Sequence, residues 1–310
     1  MAKAQGRLTK KRAQSKVKSA KSKPRVTNDR AALPNVWKLT VGAMRLLWLH
    51  KTLFLGISLI YGVLNFVLVQ GLSSNADIGN LKVALDQIFS GHLASLASGF
   101  TVFVILIGSG GGGNNNSAAA YQLFLILITS LAVIWSLRQV QAGKWPRTRD
   151  SFYQGIYPLI PFLLVLLVIG VQLVPLAIGG AVYSVVIGAG IASTALESAI
   201  WLMVFLGLAW ASLYFVTASI FALYIVTLPD MTPMKALRSA RELVRHRRLL
   251  VFRKLLWLPV ALLIVAAVVM LPVITWITPL APWLFFLLTL LVIPVANAYL
   301  YNLYRELLNE

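Results

Sequence analysis

Residues 229–254, PDMTPMKALRSARELVRHRRLLVFRK, decide how this chain is organised, because they form a basic stretch between two apolar segments each long enough to cross a bilayer. The stretch carries eight Lys and Arg. Charge of that density is held on the side of the membrane from which the chain inserts, so the flanking spans can be oriented from it. Thr232 reads as an N-cap with Pro233 at the first helical position, where a missing N–H does no harm. Met234, Leu237, Ala240, Leu243 and Val244 then share one helical stripe, and Arg238, Arg241, Glu242, Arg245 and Arg248 share another. This pattern predicts a helix lying in the headgroup plane with its apolar face down.

Composition supports the same setting. The 310 residues are 59% hydrophobic and 12% charged, with mean hydropathy +0.80, which excludes a soluble globule of ordinary composition. The apolar runs are continuous over about 20 residues, where barrel strands would alternate over about 10, so the spans are helices. The expected fold class is all-α: a polytopic bundle of six transmembrane helices with cytoplasmic amphipathic elbow helices. The formal charge of +19 is concentrated in a tail and two loops, as topology requires. With no cysteine, disulfides and thiolate chemistry are excluded. The first apolar run begins near Thr52, too late for a cleavable signal.

Taken in order, residues 1–33 hold eleven Lys and Arg against one acid, Asp29, and are expected to be a disordered cytoplasmic tail. Residues 34–310 form the membrane domain. From Pro34 an amphipathic helix sets Trp37, Val41, Met44 and Trp48 on one stripe, flanked by Lys38, Arg45 and Lys51. Spans are expected at 52–70, 118–135, 156–178, 194–228, 255–277 and 283–304. Residues 93–107 are apolar but are read as lying on or dipping into the outer leaflet, with Asp86 and His92 exposed. If that segment crossed, both basic loops would lie outside. Thr194 with Glu197 has the spacing of a capping box opening the fourth span. That span is long, roughly 50 Å at the α-helical rise, and is expected to tilt or protrude. The Gly-rich stretch 179–193 reads as a link.

With six spans and both termini cytoplasmic, 27 of the 28 Lys and Arg fall inside and Lys82 alone lies outside. Spans one, three and five each follow a basic amphipathic or aromatic stretch, which suggests three elbow-plus-hairpin units at 34–137, 138–228 and 229–305.

The run Lys235, Ala236, Leu237, Arg238, Ser239, Ala240, Arg241, Glu242, Leu243, Val244, Arg245, with the Gly143-Lys144-Trp145-Pro146 loop, resembles a group of six-span bacterial membrane proteins. The group includes YciC-like proteins and the membrane domain fused to some glycerophosphodiester phosphodiesterases. The resemblance covers about two thirds of the chain, and Ala240 stands where the group usually has an aromatic residue. It implies a bacterial plasma-membrane protein with no assigned activity. The His-Arg and Glu-x-Asp metal constellation of the fused enzyme has no counterpart here.

No catalytic residue, metal ligand or cofactor site is expected. His50, His92 and His246 are scattered over both faces. Ser130, Ser212 and Ser219 lie in spans without an activating His or Lys. Gly143-Lys144 is followed by Trp145, so it is not a P-loop, and Gly188-Ala-Gly190 follows no strand. The expected role is binding of anionic phospholipid headgroups in the bilayer by Arg238, Arg241, Arg245, Arg247, Arg248, Lys144, Arg147 and Arg149. The alternative is a small-solute or lipid transporter whose cavity is lined by Asn65, Gln122, Gln172 and Asn297. Gly207 with Ala211 and Ala218 with Ala222 suit close helix packing, within the chain or in a homo-oligomer. Nucleic acid or ribosome contact by the tail lacks aromatic support.

Overall fold

The computed structural model describes residues 35–69, 116–192, 194–245 and 247–308, and no strand occurs among them. The expectations for the tail at 1–33, for Lys82, Asp86, His92 and His246, and for residues 93–107 lie outside the described residues. The helices are α1 (Val36–Leu49), α2 (Lys51–Leu68), α3 (Asn116–Gln141), α4 (Thr148–Gly155), α5 (Leu159–Gly188), α6 (Ala195–Ser219), α7 (Ala222–Ile225), α8 (Pro233–Val244), α9 (Arg248–Trp276) and α10 (Ala281–Leu308). Six stretches are long and apolar enough to cross a membrane: α2, α3, α5, α6 continuing through α7, α9 and α10. The protein is a multi-pass membrane helix bundle.

Each spanning helix packs on the next in the chain, and α10 packs back on α2. Helices α4 and α8 dock on the span that precedes each of them, α4 on α3 and α8 on α6 and α7, while α1, the first of the described helices, docks on the last span, α10. The buried centre at one level is Tyr61 and Val69 of the α2 segment with Leu125 of α3 and Ile293 of α10. Helices α2, α3 and α10 bury more of their residues inside the bundle than α5, α6 and α9, which leave most of theirs facing outward. In a bilayer that outward surface meets acyl chains, which are as apolar as the side chains they touch.

Several boundaries differ from the sequence reading. Helix α5 runs unbroken through the Gly-rich stretch to Gly188, because Gly179 lets it close on Leu208 and Phe205 of α6. A Cβ there would come within 3.1 Å of the Leu208 side chain. The long fourth span is interrupted at Ile220–Phe221, where Leu223 and Tyr224 donate to the carbonyls three residues back at 3.3 and 3.0 Å. Helix α9 starts at Arg248 instead of Leu255, which brings Arg253 and Lys254 into the helix. The Thr194–Glu197 capping box is present in both directions, each bond at 3.3 Å.

Candidate functional site at the basic end

The starts of α2, α5 and α9 and the ends of α3, α7 and α10 lie at one end of the bundle. His50 meets Trp145 edge-on with ring centroids 4.8 Å apart, and the Tyr299 hydroxyl donates to the Lys254 carbonyl at 2.9 Å. All sixteen described Lys and Arg belong to this end, against Asp150, Asp230, Glu242 and Glu306. At the opposite end Phe66 stacks on Trp283, and Tyr183 on Phe205.

Helix α8 forms as its signals predict. Thr232 Oγ1 accepts from the Lys235 N–H at 3.4 Å, and Pro233 takes the first turn. Its apolar face, however, is covered by protein and not by lipid: Ala236, Leu237, Ala240 and Val244 are buried against α5, α6, α7 and α10. Met234, placed on that stripe by periodicity, is 77% exposed. Periodicity marks an apolar face without saying which apolar surface meets it.

The candidate headgroup ligands divide into two groups. Arg238 and Arg241 on α8 and Arg245 at its C-terminal cap, with Lys144, Arg147 and Arg149 before and in α4, are exposed. Arg248 instead folds onto the protein, where its Nη1 donates to the Tyr214 hydroxyl at 3.2 Å and its guanidinium lies 5.3 Å from the ring centre. Arg247 is half-buried and also has a partner. These two are taken up by the bundle.

On α1 the stripe expected to be interfacial is open. Trp37, Val41, Met44 and Trp48 are all more than half exposed, while Leu39 and Ala43 on the other side are buried in a helix that docks on α10. Amphipathic aromatics of this kind sit at the level of the headgroups.

Helix α3 extends to Gln141, so Arg138 lies in its last turn and not in a loop. Gly143, at φ +76°, closes the end: the Lys144 N–H reaches the Gln139 carbonyl at 3.0 Å. The Arg138 guanidinium crosses to the end of the fourth span. It donates to the Thr227 carbonyl at 2.7 Å, to Thr227 Oγ1 at 2.6 Å and to the Tyr224 carbonyl at 3.3 Å. These are C-terminal carbonyls that the end of a helix leaves unpaired. Behind them Tyr224 packs with Tyr301 and Tyr304 at centroid distances of 6.0 Å. Sequence reasoning saw Arg138 as one more loop cation. The usable signal was Leu137 and Val140, which carry the apolar spacing of α3 past Trp135.

Arg138 also lines a cavity of about 810 Å³ between the end of α3, α4 and the α7–α8 connection. Leu131, Trp135, Pro161 and Leu228 give it an apolar wall, and Arg138, Thr227, Asp230 and Thr232 a polar edge. Helix α4 bounds it firmly. Ser136 Oγ donates to Ser151 Oγ at 2.8 Å, and Gly155 lies so close to α3 that an added Cβ would stand 2.9 Å from the Ala132 Cα.

The proposed transporter ligands are not gathered around this cavity. Asn65 Nδ2 donates to the Tyr61 hydroxyl at 3.3 Å, and Gln172 Nε2 to Ser219 Oγ at 2.9 Å. Asn297 donates to the Ile293 carbonyl at 3.0 Å and accepts from the Tyr224 hydroxyl at 3.3 Å. Gln122 is half-buried and has a partner of its own. They act as contacts within and between helices. Ala218 and Ala222 are buried inside the chain, whereas a Cβ at Gly207 would meet nothing within 4 Å.

A second residue the sequence reading missed is Lys254, 5% exposed on α9 and engaged by a partner. Among the described residues no group of three or more His, Asp or Glu stands together as metal ligands would. Comparison with protein families, curated proteins and solved structures finds no match to the chain.

Proposed function

We propose that this is a non-enzymatic plasma-membrane protein whose basic end lies at the cytoplasmic face and binds anionic phospholipid headgroups. The observation that carries this reading is the set of six exposed cations, Arg238, Arg241, Arg245, Lys144, Arg147 and Arg149, at the same end as the open stripe Trp37, Val41, Met44 and Trp48. A cation near an anionic leaflet contributes about 1 kcal/mol, falling off within a Debye length. Helices α8 and α4 are docked on the bundle, so these charges are presented on a rigid support and lose little freedom when lipid binds. Helices α4 and α8 each rest on the span before them and lead into the next, and α1 rests on the last span, a repeated placement that supports reading the chain as three elbow-plus-hairpin units. The resemblance to the six-span bacterial group fits the same setting.

The test uses the whole protein reconstituted with spin-labelled lipids. Phosphatidylglycerol should associate with it several-fold more than phosphatidylcholine at low salt. Arg238→Gln, Arg241→Gln and Arg245→Gln together should remove most of that preference without changing helicity. An unchanged preference in the triple variant rejects the reading.

A further inference from the structure

Beyond the diffuse charge of that surface, we infer that the cavity beside Arg138 is a binding site for one zwitterionic phospholipid with a primary-ammonium headgroup, its phosphate facing Arg138 and its ammonium facing Asp230. Four observations lead there.

The cavity, about 810 Å³, has the size of a site for a ligand headgroup and the first part of its chains. Its wall is largely apolar, from Leu131, Trp135, Pro161 and Leu228, and its charged edge lies at the basic end of the spans, where phospholipid headgroups sit.

The cavity edge holds one cation and one anion that do not pair with each other. Arg138 spends three of its hydrogen bonds on carbonyl and hydroxyl oxygens of Tyr224 and Thr227, all neutral, so its charge is not cancelled by the bonds that hold it. Asp230 follows Thr227 by three residues, so its backbone lies within about 10 Å of Thr227 along the chain. One headgroup can therefore address both charges. A purely anionic headgroup would satisfy Arg138 and be repelled by Asp230.

Asp230 is the one described non-glycine residue with positive φ, at 60°. That conformation disfavours most side chains, and Asp is among the few that tolerate it. It turns the chain between Pro229 and Met231 at the cavity edge, where Asp230 is an exposed lining residue.

The remaining edge suits a primary ammonium, which must satisfy three N–H donors. Asp230 and Gln154 are lining residues with side-chain oxygen acceptors, while the Thr227 and Thr232 hydroxyls beside them already accept from Arg138 and from the Lys235 N–H and keep one lone pair each. Tyr153 and Tyr157 also line the cavity but are 85% and 94% exposed, so they do not form the closed aromatic cage a quaternary ammonium prefers.

The experiment is native mass spectrometry of the full chain in detergent with equimolar phosphatidylethanolamine, phosphatidylcholine and phosphatidylglycerol, counting lipids that survive collisional activation. The protein should retain one phosphatidylethanolamine in preference to the other two by about tenfold, the effect of one well-formed charge-assisted contact. Asp230→Asn and Asp230→Gly both keep a residue suited to positive φ, so the turn survives while the charge is lost. Both should abolish the preference over phosphatidylcholine and phosphatidylglycerol. Equal retention of the three lipids by the unaltered protein overturns the inference, as does an undiminished preference in the Asn and Gly variants. Because neither variant touches Arg238, Arg241 or Arg245, their result is independent of the surface-charge reading.

Discussion

Replacing Arg138 by Met should uncouple the end of α3 from the end of the fourth span at a calculable cost. The guanidinium donates three hydrogen bonds, at 2.7, 2.6 and 3.3 Å, to two residues about ninety positions later in the chain. Hydrogen bonds to a charged group contribute about 1.5–3 kcal/mol each when well formed. The side chain is half-buried and the third bond is long, so the lower end applies and water recovers part of the loss. The expected destabilisation is about 3 kcal/mol. Thr227→Val removes the hydroxyl that accepts from Arg138 and donates to the Tyr224 carbonyl at 2.8 Å, and should cost about 1–2 kcal/mol alone. If the two residues act through one another, adding Thr227→Val to Arg138→Met should cost much less than it does alone, a coupling of about 1 kcal/mol. Reversible unfolding in mixed micelles, followed by helicity, measures all four corners of the cycle. A loss under about 0.5 kcal/mol for Arg138→Met, or strict additivity, would refute the reasoning.

Three further outcomes follow from packing. Gly155→Ala should destabilise by about 1–3 kcal/mol, because the added Cβ meets Ala132 and Leu131 backbone atoms at 2.9 to 3.2 Å, and backbone gives way poorly. Gly170→Ala, in α5 with nothing within 4 Å, should instead leave stability unchanged or raise it by up to about 1 kcal/mol, measured by the same unfolding midpoint. In single-tryptophan variants, Trp37 and Trp48 should be quenched by lipids brominated high on the acyl chain more than by aqueous iodide. The reverse order would place the α1 stripe in water.

Much of the fold is legible in the sequence, and the reasons are physical. Span number and the basic end follow from run length and charge, both local properties that the membrane enforces residue by residue. The caps at Thr194 and Thr232 were legible for the same reason, since each depends on neighbours three positions away. What was not legible depends on distant partners. The apolar face of α8 is written identically whether lipid or α6 covers it, and Arg248 looks like Arg245 until Tyr214 comes within 3.2 Å. The Gly-rich stretch of α5 looked like a link because glycine weakens an isolated helix, yet Gly179 serves close packing on α6. Asn65, Gln172 and Asn297 read in the sequence as hydrogen-bonding contacts between helices or, alternatively, as lining of a transport path, and which groups they bond, Tyr61, Ser219 and the Ile293 carbonyl, only the fold supplies. The cavity draws on three separated stretches, with the turn at Asp230 at its edge. No local pattern announces that combination.

Helix α1 has its seat on α10, so the first helical element described rests on the last. During synthesis that seat does not exist until residues 281–308 have been made. Until then α1 has only its neighbour α2 and the bilayer surface to rest on, and the Trp-bearing side is the one that can hold it there. A chain cut short before residue 281 would insert its earlier spans yet leave this helix without its resting place, so loss of α10 should be felt first at α1, more than two hundred residues away in sequence.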